Sequence, residues 1–353
     1  MATIDAVCDA FARQAQYCDA YGSPFTARLL RCLTQMLMDD EPRLLPLACW
    51  PGDPQADALP LRLAGALHAL VLDGRAAGLM RCYPGGGLAD DDVALRHAVS
   101  SALDAHPQWL ADYLSVPPQT NEVGRSAVLW GGFQSIAVQT GLPLRLFELG
   151  ASAGLNMYTD RYRYRFGDTI AGDLASPLEL VPIWHGERPP MASPCIVSRA
   201  ACDQAPVDIT DAVQRQHLRA YVWADQTLRL HQLDAALEIA GRHPFQVEQA
   251  DAADWIEQAL FTPLPAGLTT VVYHSIFWSY LPAAAQARIE AALHRAGQTA
   301  TAEAPLAWLR FEIGDFQRHP QLLLSLWPGP QDVHLADAQA HGSEVFWHGA
   351  GVE

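Results

Sequence analysis

Leu144-Arg-Leu-Phe-Glu-Leu-Gly150-Ala-Ser-Ala-Gly154-Leu-Asn156 is the stretch on which the reading of the whole chain turns. Its first six residues are a short apolar run that stops at a glycine, the pattern of a buried strand ending in a turn. Gly150 and Gly154, with small residues between them, let the backbone bend sharply and come close to a ligand, and the segment leads into the start of a helix. Glu148 puts a carboxylate at the carboxyl end of that strand. Burying such a group costs several kcal/mol unless something pairs with it, so a partner for Glu148 is expected. The competing reading is a tight strand-to-helix turn whose small residues serve packing alone.

Upstream of this stretch, from Ile4 to about Leu114, apolar residues recur at helical spacing, as in Phe25, Leu29, Leu30, Leu33 and Leu37 or Leu63, Leu67, Leu70 and Val71. Breaks fall at Gly22-Ser23-Pro24, between Pro46 and Pro60, at Pro84-Gly85-Gly86-Gly87 and at Pro117-Pro118. Downstream, short apolar runs alternate with helical segments, which argues for a parallel sheet covered by crossover helices. The predicted strands after the first are Cys195–Ser198, Phe245–Glu248, Thr269–His274, Leu306–Glu312, Leu322–Leu326 and Glu344–Trp347. Helices are predicted at Asp211–Ala240, Ala252–Leu260 and Pro282–Ala296. The link between the last two strands is too short for a helical crossover, so the final strand is expected to run antiparallel. The expected fold class is α/β: a Rossmann-like, mostly parallel sheet of seven strands, preceded by an all-helical region. The expected division is residues 1–118 helical and 119–353 Rossmann-like, with a hairpin insertion near 162–194.

Composition narrows the chemistry. The chain of 353 residues carries 39 acidic against 23 basic side chains, a formal charge of -16. Such a charge repels phosphate backbones and anionic membranes, so nucleic acid is an unlikely partner and a small-molecule substrate is favoured. The sequence contains no lysine, so every fixed cation is arginine. That excludes a pyridoxal Schiff base, a lysine nucleophile and a Walker-type phosphate lysine. The seven cysteines lie far apart without a C-x-x-C pair, and no metal site is predicted. The first residues lack the basic-then-apolar order of a signal peptide, and no stretch is uniformly apolar over a membrane-spanning length. A soluble, cytoplasmic protein without a membrane partner is expected; the sequence leaves its oligomeric state open.

Glu148-Leu-Gly150-Ala-Ser152-Ala-Gly154 is similar to the acid-x-Gly-x-Gly-x-Gly loop of S-adenosylmethionine-dependent methyltransferases, with Ser152 in place of the middle glycine. The resemblance implies S-adenosylmethionine as cofactor, its amino-acid part lying over Gly150, Ser152, Gly154 and Asn156. An acid near the next strand would bind the ribose diol. Asp203 is the candidate, several residues beyond the predicted strand end at Ser198, with Asp168 and Asp173 as rivals. Gln249-Ala250-Asp251-Ala252 resembles the segment whose carboxylate accepts from the adenine amino group, although Asp251 is equally well placed to cap the following helix. The fourth strand ends in Tyr273-His274-Ser275-Ile276-Phe277-Trp278 at the sheet edge that faces substrate in that family, so His274 is a candidate base. Tyr280, Asn156 and His341 are further candidates for orienting or deprotonating the acceptor. Asn121, Glu122 and Arg125 cluster just before a predicted helix, and Arg125 falls one turn after Asn121 on a face suited to clamping a carboxylate.

Along nearly its whole length the chain also closely resembles the bacterial domain of unknown function 2332 family. The segments that carry this resemblance are Gln119–Arg125, Glu148–Asn156, Asp160–Tyr164, Cys202-Asp203 with Pro206 and Asp208, Trp223 with Asp225-Gln226, and His341-Gly342. The family's usual Trp-Pro-Asp-Gln stands here as Trp223-Ala-Asp-Gln226. That family implies no particular reaction.

Three functions are therefore open: a methyltransferase acting on a small molecule, a serine hydrolase and a non-catalytic binding protein. Gly150-Ala-Ser152-Ala-Gly154 also fits the Gly-x-Ser-x-Gly nucleophile elbow, with Asp251 and one of His319, His334 or His341 supplying the rest of a triad. Against the hydrolase, a helical region precedes the first strand, and Glu148 would set a negative charge near a nucleophile that must itself develop charge. A methyltransferase-like fold that only binds remains the third reading, since fold does not fix function.

Overall fold

A computed structural model describes residues 2–314 and 319–349. The chain divides into two compact units, Met1–Thr120 with Asp211–His231, and Asn121–Thr210 with Gln232–Glu353. The boundary at Thr120 lies two residues from the predicted one, but the assignment of Asp211–His231 to the first unit was not anticipated.

The first unit is helical. Its main elements are Ile4–Ala20, Pro24–Met38, Leu59–Leu72, Asp92–Ala105, Pro107–Ser115 and Ala212–Ala220. Leu59–Leu72 is buried around most of its circumference, as expected of a helix apolar on nearly every face. The predicted break at Gly22-Ser23-Pro24 is real, with Gly22 at φ +73° and Pro24 in the first turn of the next helix. Ser23 does not cap that helix with its own side chain. Instead the Asp225 carboxylate accepts the Phe25 backbone N–H at 2.8 Å and the Ser23 hydroxyl, while the Gln226 amide donates to the Tyr21 carbonyl at 2.8 Å. These ties explain why Asp211–His231 belongs with the first unit. They also explain the correction to the predicted helix Asp211–Ala240, which is two helices, Ala212–Ala220 and Thr227–Arg242, broken where Asp225 and Gln226 serve as caps.

The second unit carries the strands β1 (Leu144–Leu149), β2 (Arg163–Phe166), β3 (Thr169–Gly172), β4 (Glu179–Leu180), β5 (Ile183–Gly186), β6 (Ile196–Asp203), β7 (Glu248–Gln249), β8 (Thr269–Ser275), β9 (Leu306–Glu312), β10 (Gln321–Trp327), β11 (Val333–Ala338) and β12 (Glu344–Trp347). The large sheet has nine strands in the order β5-β12-β11-β10-β9-β8-β1-β6-β7, and a small sheet has the order β3-β2-β4. From β7 to β9 every neighbouring pair is parallel. In chain order these five strands lie 3-2-1-4-5, a doubly wound order with its switch point between β1 and β8. Beyond β9 the sheet becomes an antiparallel meander through β10, β11 and β12, and β5 closes the edge in parallel with β12.

The prediction of seven strands is corrected to nine. The strands missed are β11, whose Val-His-Leu-Ala-Asp-Ala reads too polar, and β5, which follows a Gly- and Pro-rich stretch. The predicted insertion near 162–194 holds the hairpin β2-β3, and it also supplies β4 and the edge strand β5. A second correction concerns β6, which continues past Ser198 to Asp203. Its small residues Ala200, Ala201 and Cys202 have modest strand propensity but pair with Phe147, Glu148 and Leu149 of the buried β1. On one face of the sheet the helices Ala252–Ala259 and Ala283–Gly297 bury a core with Val272, Leu306 and Trp308. On the other lies Arg125–Thr140, whose Gly131 and Gly132 admit the Trp347 and Leu309 side chains. Among the described residues no helix is long and apolar enough to cross a membrane.

Candidate functional site

The switch point places the ends of β1 and β8 side by side, and in open α/β sheets the crevice there is where ligands bind. β1 leaves the sheet through Gly150 (φ +67°), Ser152 (φ +53°) and Gly154 (φ +70°). Both glycines are required twice over, by the left-handed backbone and by space. A Cβ on Gly150 would lie 2.1 Å from the Phe277 ring, and one on Gly154 would lie 2.9 Å from Val247 Cγ2.

Hydrogen bonds from the end of β6 and from residues 121–126 fix this loop. The Ala151 N–H donates to the Cys202 carbonyl at 3.1 Å, and the Ser152 N–H donates to Asp203 Oδ2 at 2.8 Å. The second Asp203 oxygen accepts the Ala205 N–H at 2.9 Å. Asn121 Oδ1 accepts the Leu155 N–H at 2.8 Å, and the Ser126 hydroxyl donates to Asn156 Oδ1 at 2.7 Å. Asn121, Gly150, Ser152, Gly154, Asn156 and Asp203 are thus brought together in one assembly. Asp203 is the last residue of β6, so its apparent displacement from a strand end was an artefact of reading that strand too short. Its rivals lie elsewhere, Asp168 in the β2-β3 turn and Asp173 after β3, where it accepts the Ala175 N–H.

The element after the loop is a correction. Where a helix start was predicted, the chain forms a seven-residue 3-10 helix, Leu155–Arg161, kinked at Tyr158. The loop therefore lacks the aligned dipole of a long α-helix that would favour a phosphate. The surrounding charge points the same way, because the half-buried Asp203 acts on Glu148 as a nearby negative charge. Desolvation pushes the Glu148 carboxyl up to about 8, and the nearby Asp203 charge adds to the rise. The Tyr273 hydroxyl, which donates to Glu148 Oε2 at 3.1 Å, and the Arg125 guanidinium pull the other way. Tyr273 is the partner that Glu148 was expected to need, and the register that sets Glu148 opposite Tyr273 delivers it.

Glu122 Oε1 accepts the Gly124 N–H at 3.2 Å, while Arg125 directs Nε to the Ala340 carbonyl and Nη1 to the Ser275 carbonyl, both at 3.0 Å. Arg125 thereby joins the end of β8 to the turn before β12. Gly124 and Gly342 are in such close approach that a Cβ on Gly124 would lie 2.2 Å from the His341 carbonyl. His341 is thus beside the Asn121–Arg125 segment. Asp251 performs the capping role, its Oδ1 accepting the Ala253 and Asp254 N–H groups at 2.9 and 3.0 Å. It follows Ala250, whose N–H donates to the Asp203 carbonyl.

His274 is placed differently from a general base. It is fully buried, Nδ1 lies 2.6 Å from Glu312 Oε1, and Nε2 accepts the Trp308 indole N–H at 3.1 Å. With both ring nitrogens engaged it has no lone pair to offer a substrate. Glu312 also accepts the Phe277 and Trp278 N–H groups, so the pair shapes the turn that seats Phe277 on Gly150. Tyr280 is 78 % exposed on the outer part of that turn. Sequence reasoning missed Tyr273, Phe277 and Glu312. Aligning β8 against β1 would have found the first, and nothing in the sequence marks the other two.

A family model described as an uncharacterized protein conserved in bacteria (DUF2332) matches residues 8–347. No curated protein and no solved structure matches the chain.

Proposed function

The chain belongs to the bacterial DUF2332 family, and from that premise and the geometry of its first strand we propose that it is an S-adenosylmethionine-dependent methyltransferase acting on a small molecule. The observation that carries this reading is the position of Asp203. It ends the strand next to β1 and holds the N–H of Ser152, so that Glu148, Gly150 and Asp203 stand together at the carboxyl ends of β1 and β6. The five parallel strands in 3-2-1-4-5 order support a methyltransferase-like fold, and the β10-β11-β12 meander is this chain's variation on it.

The acceptors gathered at the loop support this choice of cofactor. S-adenosylmethionine carries an ammonium, a sulfonium, a ribose diol and an adenine amino group, which call for acceptors or negative neighbours, and a carboxylate, which calls for a donor. Glu148, Asp203 and Asp251 supply acceptors, and Arg125, whose charge acts on Glu148, is the cation that would face the carboxylate. When bound, the cofactor supplies an electrophilic methyl group. The chain's own part is then to align the acceptor and keep water out, which methyl transfer needs more than acid-base machinery. Tyr280 and His341 are the residues proposed to orient the acceptor, and His274 acts through the Phe277 turn. Titration of the protein with S-adenosylmethionine and with its demethylated product, followed by calorimetry and thermal shift, tests the proposal. Binding of both is expected; no heat and no shift at millimolar ligand overturns it.

One observation favours the hydrolase reading: Ser152 has the left-handed backbone of a strained turn nucleophile. Its Oγ, however, is buried and makes no hydrogen bond among the described residues, so none of them is aligned with it as a base. Covalent labelling by a fluorophosphonate that is lost in Ser152→Ala would reverse the ranking. The non-catalytic reading draws on the contact already made between Glu148 and Tyr273; cofactor binding without methyl transfer to any of a broad set of small molecules would favour it.

A further inference from the structure

We propose that His334, Asp337 and His348 form a binding site for a divalent first-row transition metal ion of the zinc or cobalt type, on the open face of the antiparallel meander. The sequence does not suggest it, because His-x-x-Asp on a strand would ordinarily point the two side chains to opposite faces. A bulge in β11 removes that obstacle. Asp337 pairs with Gln321 and His334 with Leu323, two positions that share a face of β10, so the extra residue at Leu335 brings His334 and Asp337 to one side. The third group comes from the neighbouring strand. Asp337 is opposite Phe346 in β12, and His348, two residues on, has its N–H bound to the Leu335 carbonyl.

The three side chains converge on one point. His334 Nε2 lies 3.1 Å from Asp337 Oδ1, and His348 Nε2 lies 2.7 Å from Asp337 Oδ2. The two imidazole centroids are 4.7 Å apart, and the ligand atoms of all three residues lie within 4.8 Å of one another. Two donors on a tetrahedral metal with bonds of about 2.0–2.2 Å stand about 3.4 Å apart, so the site closes with side-chain rotations that move the ligand atoms by about an ångström. Two imidazoles and one carboxylate form a donor set for zinc, cobalt, nickel or iron rather than for calcium or magnesium. The backing is rigid, since Leu322, Leu324, Ala336, Ala338, Val345 and Trp347 on the opposite face are buried. The ligand side chains themselves are 28–43 % exposed, which leaves coordination positions open to water.

The metal would clip β11 to the residue after β12 and stabilise the folded chain by mass action. This is independent of the methyltransferase reading. The test uses the untagged 353-residue chain stripped with chelator, in a Cys49→Ser, Cys195→Ser background that removes the two exposed thiols. It is titrated with Co2+ and with Zn2+ by calorimetry, visible absorption and thermal shift. One ion per chain is expected, with a rise in the thermal midpoint. Asp337→Asn and His348→Ala are each expected to weaken binding at least about tenfold while leaving the metal-free midpoint nearly unchanged. His185→Ala, which alters a histidine stacked on Phe346 but outside the set, should bind as the parent does. Absence of stoichiometric binding, or binding unaltered in both Asp337→Asn and His348→Ala, overturns the proposal.

Discussion

Asp203 Oδ2 accepts the backbone N–H of Ser152 at 2.8 Å while its Oδ1 accepts that of Ala205 at 2.9 Å, so one carboxylate at the end of β6 braces both the loop after β1 and its own exit from the sheet. Hydrogen bonds to a charged acceptor contribute about 1.5–3 kcal/mol each at most, and less where water can replace them. Asp203→Ala is therefore expected to lower unfolding stability by about 1–3 kcal/mol, and Asp203→Asn, which keeps one acceptor oxygen, by less. Urea titration of the three proteins checks the order. Equal stability of Asp203→Ala and the parent would show that the brace does not hold the loop.

Ser152 gives a prediction of the opposite sign. It stands in a left-handed conformation and buries a hydroxyl with no hydrogen-bond partner among the described residues. A non-glycine residue there costs about 1 kcal/mol, and the unmet hydroxyl adds to it. Ser152→Gly should stabilise the protein by roughly 1 kcal/mol, and under the proposed function it should leave cofactor affinity within a few-fold of the parent. The denaturation midpoint reads the first effect and calorimetry the second; a destabilised Ser152→Gly would mean that the Oγ has a role the hydrogen-bond geometry does not reveal.

Glu148 makes stability depend on pH. Its carboxyl is pushed up from an ordinary value of 4.5 to about 8, so between those values the folded chain holds a proton that the unfolded chain has released. Stability must then fall as pH rises through this window, by at most about 1.4 kcal/mol per unit, and level off above it. Glu148→Gln should abolish that slope. A cationic ligand paired with Glu148 would displace the proton, so cofactor binding should tighten with rising pH up to about 8 and release a proton measurable by calorimetry in buffers of different ionisation enthalpy. A slope identical in Glu148→Gln and the parent would assign the pH dependence to other groups.

The loop was legible from the sequence because it is local: a strand, two glycines and an acid within eleven residues. The partners it needs are not local. Tyr273 reaches Glu148 only through the register of β8 on β1, and Phe277 reaches Gly150 only because Glu312, on β9, gathers the Phe277 and Trp278 N–H groups. His274 misled for the same reason. A histidine at a strand end reads as a base until Trp308 and Glu312, two strand positions more than thirty residues away, are seen to take both nitrogens. The strand errors have one cause as well. β11 and the second half of β6 are held by buried neighbours and not by their own propensity, so pattern alone undercounts them.

The contact between Gly150 and Phe277 can be tested by coupling. A methyl group at position 150 meets the Phe277 ring at 2.1 Å and sits on a φ of +67°. Gly150→Ala should therefore destabilise by about 2–4 kcal/mol, of which about 1 kcal/mol is backbone strain that no neighbour can relieve. Phe277→Ala in the same chain removes the clash, so the double variant should be more stable than the sum of the two single changes predicts. Strict additivity would show that the ring does not rest on the loop.

His68 in the first unit supplies a pH response of opposite sign to that of Glu148. The imidazole is buried, its Nδ1 donates to the Ala220 carbonyl at 3.1 Å, and desolvation lowers it from 6.5 to about 4. Between those values the unfolded chain binds a proton that the folded chain refuses, so stability contributed at neutral pH is lost as pH falls through the window, again by at most about 1.4 kcal/mol per unit. His68→Gln keeps an N–H donor for Ala220 and removes the titration, so its stability should be less dependent on pH below 6.5, at the cost of a lower value near neutrality from lost packing against Tyr83. Because the two groups lie in different units, a single global midpoint would mix their effects. Hydrogen exchange read peptide by peptide separates them: protection in Leu59–Leu72 should fall on acidification in the parent and change less in His68→Gln, while protection in β1 should follow Glu148. An acid response of Leu59–Leu72 that survives unchanged in His68→Gln would remove His68 as its source.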